Sequence, residues 1–309
     1  MGGAGLTNCG AALESCCTSL EVPGGTYYRT YTTDGTTPSN EADPATVSGF
    51  RLDKYLVTVG RFRQFVAAWS DGFLPVAGSG KHVHLNGGQG LANSANPGTY
   101  EAGWDAVDWN NTTDVDPTTA NLTTACISPT LATWTATPGP QENLPISCVN
   151  WWEAYAFCIW DGGFLPSEAE WEYAAFGGSA QLEYPWGSTS PGTQCPGTGC
   201  EYAIYNCDYP SGSGLCMGVA SIAPVGTATL GAGLWGQLDM EGEVFEWVID
   251  SYAYPYVNPC IDCAELTADG DRVDRGGYFE EEIPPPSNRA YGPPATRGYG
   301  LGFRCARTP

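Results

Sequence analysis

Positive charge is what this 309-residue chain has least of: 12 Lys and Arg stand against 34 Asp and Glu, a formal net charge of −22. No basic run exists to follow a phosphate backbone, which argues against nucleic acid as a partner, and the same deficit argues against an anionic lipid surface. Apolar runs long enough to span a bilayer are also missing. Histidine is reduced to His82 and His84, so an imidazole metal site would have to use this pair. They alternate in a short extended piece and could face the same way, but no third ligand can be named, and packing or surface roles are the better reading. The N-terminal MGGAGLTNCG shows no signal peptide and reads as a start made after removal of a leader.

Cysteine, glycine and proline are in excess instead. The 41 glycines and 24 prolines, with few strong helical periods, indicate a loop-rich architecture, and 42% hydrophobic residues supply a core. Thirteen cysteines, several in close pairs, are far more than a reduced cytosol carries, so the chain is expected to be secreted, periplasmic or on a cell surface. The triplets Asn110-Asn111-Thr112-Thr113 and Asn121-Leu122-Thr123 match a glycosylation acceptor and fit an exposed loop. Residues 1–21, with Cys9, Cys16 and Cys17, read as an arm pinned by disulfides. Residues 22–309 read as one domain carrying a long, turn-rich surface insertion at about 72–143, stapled by Cys126 with Cys148. Farther on, Cys195, Cys200, Cys207 and Cys216 have no second C-x2-C pair beside them, so small disulfide loops are a better reading than a zinc ribbon. Cys260 and Cys263 either form a local disulfide or belong to two separate bridges.

Two helices are written into residues 144–178, LPISCVNWWEAYAFCIWDGGFLPSEAEWEYAAFGG. Asn150 with Glu153 and Ser167 with Glu170 have capping-box spacing, and Gly162, Gly163, Gly177 and Gly178 supply left-handed endings. Trp151, Ala154, Tyr155 and Cys158 recur at helical spacing, so the Cys158 thiol is expected inside. Thr58 is a cap for an earlier helix whose Phe62, Phe65, Val66 and Trp69 form one stripe until Gly72. VPGGTYYRTY reads as strand, turn and strand, and VSGFRLDKYLVT at 47–58 as one further strand. In LWGQLDMEGEVFEWVID, residues 234–250, a turn enters a strand. Asp239, Glu241, Glu243 and Glu246 crowd four carboxylates there, which either solvent or a cation must screen, and oxygens around a glycine suit calcium. Strands near 272–279 and 301–306 flank a final proline-rich loop.

Several stretches together, GFRLDKYLVTVGRFRQFV, the 144–178 segment, YPWG, APVG, GLWGQLDMEGEVFEWVID, RVDRGGYF and GFRCA, resemble the formylglycine-generating enzyme family, the sulfatase-modifying factor domain, in order over about residues 22–307. The resemblance implies an α+β fold, a loop-rich variant of the C-type-lectin fold with small twisted sheets and few helices. It implies a disulfide between Cys158 and Cys305. A second family bridge would join Ala175 to about Ala290, and both of its cysteines are missing. Structural calcium is implied in the acidic turn, held by the side chains of Asp239 and Glu246 and the carbonyls of Gly242 and Val244. Another calcium site would begin at Asn206 and Cys207, but Met217 stands where its Asp is expected. Active members hold copper(I) with two cysteines after the GG-containing strand, because thiolate selects a soft ion. Here that loop, YFEEEIPPPSNRAY at 278–291, has no cysteine; about Glu281 and Pro286 fill the two positions, so copper is not expected. Relatives in the wider family that are non-haem iron oxygenases draw histidines from an additional helical domain, which has no counterpart here.

Two functional classes follow. The first is an exported, calcium-stabilised binding or structural domain of the lectin-like kind, without cysteine-oxidising activity. It would present Tyr278, Phe279, Glu280, Glu281, Glu282, Arg289 and Tyr291 to a saccharide, peptide or protein. The second is a metal-dependent oxidoreductase with a new, non-cysteine centre built from Glu280, Glu281 and Glu282 or from His82 and His84. Adjacent glutamates are more often a solvated face than a catalytic group, which favours the first.

Overall fold

Three α-helices and five small sheets form the framework among the described residues, which in this computed structural model are 3–33, 37–191, 201–212, 214–267 and 270–309. Helix α1 (Val59–Ser70) begins where Thr58, in extended backbone, accepts from the Arg61 amide. Helices α2 (Trp151–Trp160) and α3 (Glu168–Ala175) each open on a complete capping box, Asn150 with Glu153 and Ser167 with Glu170. Gly162 and Gly177, at φ of 81° and 64°, take the left-handed turn that follows each helix. Neither helix is long enough to persist alone, so packing holds them. Phe157 of α2 stacks on Phe62 of α1 at 5.7 Å between ring centroids, and Cys158 is fully buried beside them.

Strand pairing then joins the two ends of the chain. Ser19–Val22, Phe50–Asp53 and Ala306–Arg307 make one sheet, and the Cys158–Cys305 disulfide locks α2 to the residue before its last strand. A four-stranded sheet has the order Ala290–Gly292, Arg272–Arg275, Phe245–Ser251, Leu301–Gly302, with the final pair parallel and the others antiparallel. Disulfides Cys126–Cys148, Cys207–Cys216, Cys260–Cys263 and Cys9–Cys16 close shorter loops. Among the described residues Cys17, exposed, is the unpaired thiol. Cys195 and Cys200 lie outside the described residues.

Two expectations need correction. Residues 47–58 are not one strand: Pro44–Val47 and Phe50–Asp53 belong to different sheets, and the chain turns between them where Asp262 accepts from the Ser48 amide and hydroxyl at 2.6 and 2.7 Å. The stretch 72–143 is not a surface insertion, because Leu85, Leu91, Trp104, Val115, Leu122 and Trp134 enter the same core as α1 and α2. They come singly from irregular segments and so leave no period to read. The 1–21 segment carries the Cys9–Cys16 disulfide, and its last residues also enter a sheet through the Ser19–Val22 strand. No helix is long and apolar enough to cross a membrane among the described residues.

Candidate functional site

All four strands of the four-stranded sheet feed one cleft. Asp274 stands opposite Ala290 on one neighbour and Trp247 on the other, and Leu301 opposite Phe245. Phe245, Asp274, Ala290 and Leu301 line a cleft of about 240 Å³ that Tyr278, Tyr291 and Tyr299 wall. Gly276 and Gly277 swing the chain from the sheet into the 278–291 loop, at φ of 97° and 73°. A Cβ at Gly276 would lie 2.8 Å from the Met240 carbonyl oxygen, so the position accepts glycine alone.

The cleft's polar groups are few. The Tyr299 and Tyr278 hydroxyls donate to Glu280 Oε2 at 2.7 and 3.5 Å, and Tyr278 packs on Phe245 and Tyr299 with centroids 5.5 and 5.9 Å apart. Asp274 is 6% exposed, and no hydrogen-bond donor among the described residues reaches its carboxylate. Burial, opposed by Arg275 and aided by Glu281 and Glu168, pushes its pKa up to about 7. Sequence reasoning misses Asp274, Phe245, Tyr299 and Leu301; the available signal for Asp274 was a carboxylate inside a short buried strand, RVDR, just before the glycine pair.

Of the residues expected to contact a ligand, Tyr278 and Tyr291 line this cleft; Glu280 does not line it but accepts from the hydroxyls of Tyr278 and Tyr299, and Glu281 and Glu282 are exposed nearby. Phe279 is not available: it is fully buried with Ile204, Ile222, Ala223 and Ala228, held there by a turn whose Phe279 amide donates to the Glu243 carbonyl at 3.2 Å and whose Phe279 carbonyl accepts from the Cys207 amide at 2.6 Å. Arg289 is an anchor rather than an open ligand group. Its Nε and Nη2 donate to Glu168 at 2.6 and 2.8 Å, and its guanidinium lies over Tyr256 and Tyr252, 4.0 and 4.7 Å from the centroids. It borders a neighbouring groove of about 460 Å³, separated from the first by the Tyr252–Tyr291 stack at 3.9 Å.

Behind the cleft, the 239–246 turn is buried rather than exposed: Asp239, Glu241, Glu243 and Glu246 retain 4%, 2%, 1% and 0% of their accessible surface. Arg304 grips Glu246 with two bonds of 2.7 and 2.9 Å and also donates to the Leu238 and Asp239 carbonyls. Asp239 Oδ2 accepts from the Gly226 amide at 2.7 Å, and Glu243 Oε1 from the Ala223 amide at 2.8 Å. Asp239 Oδ1, Glu243 Oε2 and both Glu241 oxygens are buried without a hydrogen-bond partner. Burial therefore raises the pKa of Asp239 to about 6 and those of Glu241 and Glu243 further. An orphaned carboxylate oxygen in a glycine-bearing turn is a ligand that calcium uses, and each Glu246 oxygen keeps a lone pair beyond its bond to Arg304. The residues fit the ion.

The alternative metal centre does not assemble. His82 Nδ1 lies 3.0 Å from Glu101 and Nε2 3.0 Å from Glu170, with no solvent exposure. Burial would lower its pKa, but Glu170 and Glu101 outweigh it and raise it to about 10. A doubly protonated ring has no lone pair for a metal. His84 instead stacks on Phe164 at 5.7 Å. Among the described residues, the side chains that bring three potential ligand atoms within 4.8 Å of one another are Cys207, Cys216 and Glu280, and the two sulfurs are already joined. Glu281 and Glu282 take part in no such group.

Comparison with known proteins places this geometry. The Sulfatase-modifying factor enzyme 1-like domain matches residues 8–309. The formylglycine-generating enzyme of Streptomyces coelicolor is 33% identical over 177 residues, 54% of this chain and 53% of that protein. A Mus musculus protein described as an inactive C-alpha-formylglycine-generating enzyme 2 is 28% identical over 181 residues, 57% of this chain and 54% of that one. The match thus spans about half the length of these relatives. The solved structure of PvdO from Pseudomonas aeruginosa superimposes with a TM-score of 0.56 at 23% identity, covering 94% of each chain, which shows the shared fold. Three helices, small twisted sheets and long loops are the α+β architecture of that group. With nearly its whole length matched, the chain belongs to the sulfatase-modifying factor enzyme 1-like family.

Proposed function

We propose that this is an exported, calcium-stabilised binding or structural domain that keeps the family scaffold without the copper(I) chemistry of cysteine oxidation. The observation that carries the reading is the donor set of the 278–291 loop. Where the resemblance expects two thiolates there stand about Glu281, an exposed hard carboxylate, and Pro286, whose carbonyl already accepts from Arg275 at 2.7 Å. The mouse relative described as inactive is a precedent for the scaffold without the activity.

Five disulfides among the described residues support an oxidising compartment, whether secreted, periplasmic or at a cell surface. Calcium bound through Asp239, Gly242, Val244 and Glu246 would neutralise the buried turn. Phe245, inside that ligand run, lines the cleft, so the ion would stiffen the binding wall as well as the fold. Tyr278, Glu280 and Tyr291 are the contact residues we favour for a saccharide, peptide or protein ligand.

Metal analysis of protein purified without added metal is expected to find calcium, with neither copper nor iron in stoichiometric amount. Incubation with copper(I) and a cysteine-bearing sulfatase peptide is expected to leave the cysteine unconverted. Aldehyde formation, or one equivalent of copper retained through purification, overturns the reading.

A further inference from the structure

We infer that the cleft bounded by Asp274, Tyr278, Tyr291 and Tyr299 binds an organic ammonium ion. Resting on the binding reading of this cleft, the inference names the class of ligand it takes. Three tyrosine rings wall the space, and ring faces attract cations through their quadrupole. Asp274 projects into it 94% buried by the exposure given above, with no hydrogen-bond donor of its own. With only a narrow contact to solvent and no donor from the described residues, this carboxylate is poorly compensated, and a ligand cation supplies a partner.

The surroundings select the sign and the kind of cation. No Lys or Arg lines the cleft. Asp274 and Arg275 point to opposite faces of their strand, and Arg275 is occupied with Glu168, Glu172 and the Pro286 carbonyl. Glu280, held by the Tyr278 and Tyr299 hydroxyls, adds a second negative group, and Glu281 a third farther out. Anions are therefore repelled. A metal ion is not favoured either, since Asp274 belongs to no cluster of three ligand side chains among the described residues and the walls are carbon. The remaining match is a cation whose charge is spread over an apolar body. A volume of about 240 Å³ admits a head group of the size of a substituted ammonium.

Titration calorimetry of the full chain with choline and with its uncharged isostere 3,3-dimethyl-1-butanol tests this. Choline is expected to bind saturably at one site, and the isostere at least about tenfold more weakly. Asp274→Asn is expected to weaken choline by about tenfold or more, and Tyr291→Ala, which removes a half-exposed wall, to weaken it as well. Should Asp274→Asn not fold, the charge comparison on the unaltered protein and the Tyr291→Ala titration decide. Absence of saturable choline binding, equal binding of the isostere, or unchanged affinity in both variants overturns the inference. Such a failure with the cysteine peptide still unconverted removes the ligand class alone, whereas aldehyde formation removes the binding reading itself.

Discussion

Two ionisable side chains, Asp274 and His82, show how burial alone does not fix a residue's charge. Asp274 has lost most of its water and gained no donor, so its pKa rises from the usual 3.8 to about 7. The folded state then holds more protons than the unfolded one between those values. Its stabilising contribution is complete below about pH 3.8 and is lost as pH rises through about 7. From pH 5 to pH 8 the unaltered protein is expected to lose roughly 3 kcal/mol through this group, a loss that Asp274→Asn escapes. Urea unfolding of both proteins at the two pH values measures it, and parallel pH profiles would refute it. His82 is the opposite case, since two carboxylates hold its proton and lift its pKa from 6.5 to about 10. Its contribution is complete below about pH 6.5 and lost as pH rises through about 10. His82→Ala leaves Glu101 and Glu170 buried with backbone and Ser167 hydrogen bonds but without their counter-charge, and is expected to cost roughly 3–5 kcal/mol at pH 7. If the same unfolding measurement shows less than about 1 kcal/mol, the imidazolium pairing is not what it is taken to be.

Among the elements, α2 carries the longest covalent constraint in the described residues. Cys158–Cys305 closes 147 residues and Cys126–Cys148 closes 22. Loop-closure entropy assigns about 5 kcal/mol to the first and about 3.4 kcal/mol to the second. Replacing each pair by serine is therefore expected to destabilise in that order, read as denaturation midpoints at constant slope, and the reverse order would show that native packing outweighs chain entropy. The helices around these bridges were legible in the sequence because a capping box needs only residues three apart, as Asn150 and Glu153 are. What was not legible depends on partners far along the chain. Burial of the acidic turn requires Arg304, 58 residues beyond Glu246, and the pairing of His82 requires Glu170, 88 residues beyond it. Phe279 and Arg289 were expected from the last loop to face a ligand, and the structure turns both away from that role. Their orientation was set by the Ile204 cluster and by Glu168, neither of which local pattern reveals. Trp104 and Trp134 likewise reach the core from irregular segments.

For the whole molecule, a net charge of −22 and the buried 239–246 turn make different demands on cations. Surface repulsion is diffuse and is relieved by any salt within a Debye length, so sodium chloride and calcium at equal ionic strength would act alike if that were the main burden. The turn instead offers an orphaned Asp239 oxygen beside Glu246, a local demand that monovalent ions cannot meet and that magnesium, bound to its waters, meets poorly. At a calcium concentration a hundred times its dissociation constant, linkage adds about 2.7 kcal/mol, or roughly 4 °C in Tm for a domain of this size. Chelation is expected to lower Tm by that amount, and calcium to restore it where matched sodium chloride or magnesium does not. Asp239→Asn is expected to abolish the difference while leaving the general salt response in place. A calcium response equal to that of sodium at the same ionic strength would assign the acidity to the surface alone. In that case the wall of the cleft around Phe245 would owe its rigidity to Arg304 and not to an ion.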